Sequence, residues 1–426
     1  MSLLELMKTP AARMPRVPEG APDIIDLPDP DEVIIPLEYP GQILFMPLVQ
    51  AGDTVARNQA IGRSELGNCV HASIGGEIKE IRTIWTARGY HVPAVVIAKS
   101  DVPDLTPEES LSRCGLDPSS ATRLELLKAC GVISPWTTPG RHHCESCGPE
   151  APPIRHIVVK GINEEPTINN FELLLKERAE DLREGLRRLP EIEAQAKIWL
   201  TVPRKLVDWA RDFFGDGIGI VGVKNDYRER IEAVVVPRVT GVAMATTHPF
   251  RDYGVAVLSV ECLLNAIDGL QGVPVVRKTV TISGGPLAQP VTVRTAVGTT
   301  TKALLASQGL DAADFGRVVI GGPMKGYAQY TDETPLSKFQ HGVYLLEADA
   351  LPSEVNLTCI NCGNCARACP NNIQVHLIGR YVEHGLLNDV ARYHPEVCHE
   401  CGLCAFVCPS HRPLVQLVKM AKKYGG

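Results

Sequence analysis

The sequence predicts a multidomain α/β chain. Three features predict it: short apolar strands punctuated by Gly-Asp and Gly-Gly near the start, a middle in which buried strands alternate with helices, and two matching four-cysteine runs near the end. At 426 residues the chain exceeds one average domain and has room for three or four. Apolar residues at 44% and charged residues at 22% are ordinary for globular proteins. A net charge of −6 argues against nucleic-acid binding, which calls for a basic face. No run approaches ~18 uninterrupted apolar residues, so no membrane span is expected. The opening Met1–Met7 is too short, and too soon followed by Pro10, for an export signal. Two readings of it stay open: a frayed end, and a short amphipathic contact with a partner or membrane surface. Fourteen cysteines without an export signal point to a reducing cytoplasm and to metal chemistry.

Residues 1–30, rich in Pro, Asp and Glu, are expected to form an extended, weakly ordered arm. Residues 31–100 carry short strands at Val33–Leu37, Gln42–Phe45 and Pro47–Val49, with turns at Gly52-Asp53 and Gly75-Gly76, which is the signature of a small all-β domain. The run from Val49 to Ile78 reads V-x-A-G-D-x-V-x-x-x-Q-x-I-G, then H-A-S-x-G-G-x-I, and looks like the barrel-sandwich hybrid of biotinyl and lipoyl carriers. A carrier needs a lysine at the hairpin tip. The segment has none before Lys79, so a docking platform is expected, with Cys69 and His71 simply packed inside.

Residues 101–272 begin with a helical stretch at Pro103–Leu127 and a loop from Gly131 to Pro149. A strand at Ile157–Gly161, an amphipathic helix at Phe171–Leu189, a strand at Lys197–Val202 and a helix at Lys205–Phe214 follow. Strands are then expected at Ile218–Val223 and Ala233–Val236. This alternation implies a largely parallel sheet, and such sheets bind ligands at the carboxyl ends of their strands. Residues 273–350 return to strands around one helix at Thr300–Gln308, a small β-grasp module. Their Gly284-Gly285 and Gly321-Gly322 pairs lack the Lys-Ser/Thr ending of a phosphate loop and read as turns.

Residues 351–426 hold the cysteine runs. Cys359, Cys362, Cys365, Cys369 and Pro370 form C-x2-C-x2-C-x3-C-P, and Cys398, Cys401, Cys404, Cys408 and Pro409 repeat it. This is the spacing of two-cluster bacterial ferredoxins. Three thiolates at two-residue intervals wrap three corners of a cubane, with Gly363 and Gly402 where the loop turns tightly. The fourth cysteine starts a helix leading away, so in this pattern it serves the other cluster. One [4Fe–4S] is assigned to Cys359, Cys362, Cys365 and Cys408, the second to Cys398, Cys401, Cys404 and Cys369. Zinc knuckles do not need a third cysteine two residues on, or a following proline, in both copies. Helical spacing from Val375 to Val390 predicts a helical hairpin between the motifs.

Taken together, this order resembles the C subunit of the Rnf electron-transport complex: barrel-sandwich hybrid, α/β domain, soluble-ligand-binding (SLBB-like) β-grasp, helical dicluster ferredoxin domain. The residues carrying the resemblance are the two motifs, Pro409–Gln416, the turn Gly321–Gly326, and His71-Ala72-Ser73. It implies a central domain similar to the NADH-binding flavoprotein subunit of respiratory complex I, passing electrons between nicotinamide, flavin and clusters. It also implies partners among the other subunits of an electron-transfer complex, membrane-bound ones included, and a place in the cytoplasm, peripheral on the cytoplasmic face of the membrane.

The chain departs from that family where flavin and nucleotide would bind. A loop of the form G-L-G-G-A-G-F-P-T is replaced by Gly131-Val132-Ile133-Ser134-Pro135-Trp136-Thr137-Thr138-Pro139, whose prolines remove N–H donors and whose Trp136 adds bulk. The acidic motif N-G-A-E-C-E-P becomes Lys160-Gly161-Ile162-Asn163-Glu164-Glu165-Pro166. Glu165 is retained as the candidate flavin/NADH residue, and Asn163 replaces a carboxylate. FMN and NAD(H) binding are therefore not expected. His142, His143, Cys144 and Cys147 have metal-ligand spacing, with Cys114 or Cys130 in reach from the preceding helix; a further zinc or iron–sulfur site and a loop receiving a partner's cofactor stay open. Functionally, the sequence reads first as an electron-transferring iron–sulfur subunit. A flavin-dependent NADH-oxidising subunit is the alternative, and an assembly scaffold a third.

Overall fold

The structure is a computed structural model that describes residues 23–39, 43–133, 152–215, 217–245, 247–285, 287–350 and 357–424. Its first module is built on a long hairpin, Gly76–Trp85 against His91–Lys99, paired from His91↔Trp85 to Lys99↔Gly76. Glu32–Pro36 and Thr54–Val55 extend it on either side. A second sheet of Met46–Pro47, Ala60–Arg63 and Cys69–His71 closes over it. Between the sheets lie Val33, Ile35, Leu37, Phe45, Ile61, Val70, Ile74, Ile78, Val95 and Ile97. Cys69 and His71 are buried.

The arm is tied down where it is described. Ile25–Asp26 forms a parallel edge strand, with Ile25 opposite Val293 and Asp26 opposite Arg294. Asp29 pairs with Arg57, and with Arg277 at 3.3 Å.

Pro103–Leu127 contains two short helices, not one. Pro107–Arg113 and Arg123–Ala129 each begin at a threonine whose hydroxyl caps the third amide, and a glutamate reaches back to the threonine N–H. Gly115 in the left-handed region ends the first helix, and Asp117 binds the Ser119 N–H between the two.

The central sheet is parallel throughout, in the order Ile218–Val223, Lys197–Pro203, His156–Lys160, Val255–Ser259. Ile157, Val159, Leu200 and Leu258 meet Leu174, Leu182 and Leu263 on one face. The stretch Ala233–Val236, expected as a strand, is part of a helix, Glu232–Thr240. Val235, Val236 and Val239 are buried beside Val158 and Val223 on the other face, and Gly241 in the left-handed region ends the helix. A short β-branched run does not separate strand from buried helix by period alone. The helix expected at Phe171–Leu189 breaks at Arg178 into Asn170–Glu177 and Ala179–Arg188, and the Arg178 guanidinium grips both oxygens of Asp268 at 2.8 and 2.7 Å.

The next module is a six-stranded mixed sheet ordered Ile25–Asp26, Val291–Ala296, Arg277–Gly284, Gly342–Leu346, Arg317–Ile320, Tyr327–Ala328. The helix Thr301–Ala306 buries Leu304 and Leu305 against Val280, Ile282, Val293 and Val343. The cysteine domain follows, with Val375–Glu383 and Leu414–Tyr424 as its longest helices. Among the described residues no helix is long and apolar enough to cross a membrane.

Candidate metal centres

The two motifs fold alike because the same positions adopt left-handed backbone. Asn361 and Gly363 have φ of 57° and 73°; Glu400 and Gly402 have 54° and 83°. These turns coil the first three cysteines of each motif inward. The short helices Asn364–Ala368 and Leu403–Phe406 then carry the fourth cysteine away, and Pro370 and Pro409 keep the chain from folding back.

Two cavities result. One is lined by Cys398, Cys401, Cys404 and Cys369. The other is lined by Cys359, Cys362, Cys365 and Cys408. Each therefore combines three thiols of one motif with the last thiol of the other. Four thiols around one space fit an iron–sulfur cluster.

The donors suit such a group. Glu400 N–H donates to Cys398 Sγ at 3.3 Å. The backbone N–H groups of Leu403 and Ala405 favour the thiolates of Cys401 and Cys404, and those of Ala366 and His376 that of Cys365. Burial pushes Cys401 up to about 11 and Cys404 higher still, with neighbouring thiols adding to it. These side chains are neutral thiols at pH 7 until a cation displaces their protons, and the N–H groups favour the thiolate that then forms.

The two cavities differ in their surroundings. That of Cys398, Cys401, Cys404 and Cys369 lies against the rest of the chain. The Tyr227 hydroxyl donates to the Cys401 carbonyl at 2.6 Å, and Tyr227, Ile231, Cys401 and Leu403 form a buried cluster capped by Met324. Lys422 Nζ donates to the Cys398 carbonyl at 2.8 Å. The other cavity faces outward, and Ile360 on its rim is 65% exposed. Arg412, side chain 5% exposed, lines this cavity together with Cys359 and pairs with Glu383.

Glu165 is engaged at the same junction. Its carboxylate accepts the N–H groups of Met324 at 3.0 Å and Lys325 at 2.6 Å, and Gly322 packs so closely that a Cβ there would collide with Glu165 Oε2. Burial pushes its carboxyl up to about 7, although both N–H groups pull the other way. Glu164 pairs with Lys325 Nζ at 3.1 Å. Asn163 is buried, accepting the Phe171 N–H at 3.0 Å and donating to Asn170 Oδ1 at 2.6 Å, so its amide holds the start of a helix.

Next to Asn170, Lys278 pairs with Glu261 and lies 2.9 Å from His341 Nδ1. Burial works to raise the Glu261 carboxyl, but Lys278 and His341 override it and hold it at about 2. His142, His143, Cys144 and Cys147, with Ser134–Pro139, lie outside the described residues. Cys114 and Cys130 are buried, their Sγ atoms against the carbonyls of Ala129 at 3.9 Å and Gly269 at 3.4 Å.

Sequence reasoning assigns Tyr227, Met324, Lys278, Glu261 and His341 no role, because each acts across modules. Arg412 lies in the Pro409–Gln416 stretch without a role of its own there. Its signal is visible only on overlaying the motifs, where the first copy has Ile373.

Comparison with known proteins agrees with this geometry. Residues 19–101 match the RnfC barrel sandwich hybrid domain and residues 358–411 a 4Fe-4S dicluster domain. The C subunit of the Na(+)-translocating ferredoxin:NAD(+) oxidoreductase complex of Acetobacterium woodii is 25% identical, covering 92% of this chain and 91% of its own. The C subunit of the ion-translocating oxidoreductase complex of Methanosarcina acetivorans is 26% identical, covering 92% of both. Over most of its length the chain is similar to RnfC subunits. A further relative, the C subunit of the proton-translocating ferredoxin:NAD(+) oxidoreductase complex of Clostridium ljungdahlii, is 24% identical over 82% of this chain and 78% of its own. A solved NAD+-reducing [NiFe]-hydrogenase in its H2-reduced state overlays 60% of the chain and 54% of its own at 15% identity and TM-score 0.39, a likeness from which no site transfers.

Proposed function

We propose that the chain is the electron-transferring C subunit of an Rnf-type complex, relaying electrons through two [4Fe–4S] clusters between partner proteins. Cys359, Cys362, Cys365 and Cys408 hold one cluster; Cys398, Cys401, Cys404 and Cys369 hold the other. The observation that carries the reading is the lining of the two cavities, each with three thiols of one motif and the fourth of its twin. Bound there, such clusters supply one-electron chemistry at potentials set by charge, hydrogen bonds and exposure. The chain's own part is to supply thiolates, aim N–H groups at sulfur and exclude water from the inner cavity.

The central domain reads as a relative of the complex I flavoprotein fold that no longer binds FMN or NAD(H). Three features support this reading: the replaced loop after Gly131, Asn163 turned to a structural amide, and Glu165 occupied by two backbone N–H groups. The mixed sheet on its one helix reads as the β-grasp SLBB-like module, and the domains run 1–30, 31–100, 101–272, 273–350 and 351–426. We place the chain in the cytoplasm, peripheral to a membrane-bound complex, on the strength of what its relatives are named for.

The test is anaerobic reconstitution with iron and sulfide. About eight irons per chain are expected, and Cys369→Ala should perturb the same spectroscopic signal as Cys401→Ala. Stoichiometric zinc without acid-labile sulfide would end the reading. Tracking of Cys369→Ala with Cys362→Ala would overturn the ligand assignment.

A further inference from the structure

We propose that an acidic electron-carrier protein docks on the face around the outer centre, at Cys359, Cys362, Cys365 and Cys408, with its carboxylates against Arg367 and Arg380 and its apolar rim on Ile360. The inference rests on the two-cluster reading above and names the kind of partner that centre serves. Ile360 stands on the rim of the outer cavity, 65% exposed, beside Asn361 and Asn364. Arg367 lies on the helix Asn364–Ala368 and donates to Asn364 Oδ1, with its Nη1 3.1 Å from where a Cβ on Gly363 would stand. Arg380 is one helical turn beyond His376, which lines the same cavity. Both arginines are exposed. Neither pairs with a carboxylate among the described residues, since Glu383, on the helix of Arg380, is taken by Arg412.

Charge decides the partner. No carboxylate lines the outer cavity among the described residues, whereas Glu400 lines the inner one and takes up the charges of Lys422 at 2.9 Å and Lys419 at 3.4 Å. The inner centre is also covered, by Tyr227, Ile231 and Met324. A visiting protein therefore has its open approach at the outer centre. A bound cluster with its thiolates is itself anionic, but it sits within the cavity while the two guanidiniums stand in water, so an arriving protein meets the cations first. The chain as a whole carries −6 and repels an acidic protein, so these local cations turn such a partner to this face. Ile360, between Asn361 and the arginines, supplies the apolar centre that a polar rim surrounds. Transfer across the contact moves one electron between carrier and cluster, and no bond is made or broken.

The test uses the full-length chain, reconstituted anaerobically and first assayed for iron and sulfide. A count near four irons ends the two-cluster reading, and this inference with it. With about eight irons present, binding of oxidised flavodoxin, an acidic FMN protein, is measured by thermophoresis, a readout in which neither partner's potential enters. Binding is expected at about 10 mM salt and should vanish toward about 1 M, as the screening length falls from ~30 Å to ~3 Å. Arg367→Gln combined with Arg380→Gln should weaken it about tenfold at low salt and flatten the salt dependence. The paired lysine substitutions should keep most of it, and Ile360→Ala should weaken it about fivefold. Arg211→Gln, an exposed site on a helix of the central domain, removes the same charge and should leave binding unchanged. If Ile360→Ala loses iron, the arginine variants carry the test, since their side chains stand in solvent. No binding at low salt would overturn the proposal. So would a loss in Arg211→Gln equal to that of the double variant, tighter binding of the basic protein cytochrome c, or capture on phosphatidylserine vesicles that the double variant abolishes while flavodoxin binding stays unmoved.

Discussion

Gly363→Ala and Gly402→Ala make the same change at matched positions of the two motifs and should have unequal effects. Both glycines are in the left-handed region, at φ +73° and +83°, where an L side chain costs ~1–2 kcal/mol. A Cβ at position 363 meets only the Arg367 Nη1 at 3.1 Å, the far end of a flexible side chain that can swing aside. A Cβ at position 402 meets the backbone carbonyl of Met324 at 2.6 Å. That carbonyl belongs to the turn fastened by Glu165, so the added methyl must push the cysteine domain off the junction. Overpacking of this kind costs ~1–3 kcal/mol. Gly402→Ala should therefore destabilise by about 1–3 kcal/mol more than Gly363→Ala. The assay is thermal unfolding of the reconstituted proteins under argon, followed by loss of their visible absorbance, with iron counted beforehand. Equal losses in the two variants, or a larger loss in Gly363→Ala, would refute the junction argument.

Tyr227→Phe removes the donor to the Cys401 carbonyl and leaves that oxygen buried, so a loss of ~1–3 kcal/mol is expected in the same melt, with the iron count unchanged. Glu165 gives a pH signature. Its folded carboxyl, raised to about 7, binds a proton more tightly than the unfolded one at 4.5. The stability it confers is therefore full below about pH 4.5 and lost as pH rises to about 7, by up to about 3 kcal/mol. Glu165→Gln should gain on the wild type between pH 5 and pH 8, and a constant gap across that range would count against the buried carboxyl. The chain purified under argon should carry no FMN, and NADH should not bleach its clusters, whereas a low-potential reductant should. Stoichiometric FMN with NADH-dependent bleaching would return the chain to a flavin-dependent role.

The cysteine quartets were legible in the sequence because their information is local: spacing, two glycines and a proline decide where each thiol points. The parallel sheet was legible for the same reason, since its strands are short apolar runs between helices. Ala233–Val236 misled because a β-branched run fits a strand as well as a helix seated on one. The hairpin of Gly76–Trp85 and His91–Lys99 was not read as two long strands, since Lys79, Glu80 and Arg82 on its outer side mask the alternation. Asn163 was legible as a missing carboxylate. Its new task, binding the Phe171 N–H, depends on where a helix arrives. Contacts between modules, such as Tyr227 with Cys401 and Glu165 with Met324, leave no trace in either segment read alone.

The parallel edge strand at Ile25–Asp26 also dictates an order of events during synthesis. Its partners, Val293 and Arg294, leave the ribosome long after it does, and Ser73 and Ile34 of the first module likewise wait for the Val297 and Gly298 carbonyls. At ~5–20 residues per second the nascent chain spends roughly 15–60 s with this seam open. For that interval the side of the first module that will face Val297 and Gly298, and the backbone of Ile25–Asp26, wait without their partners.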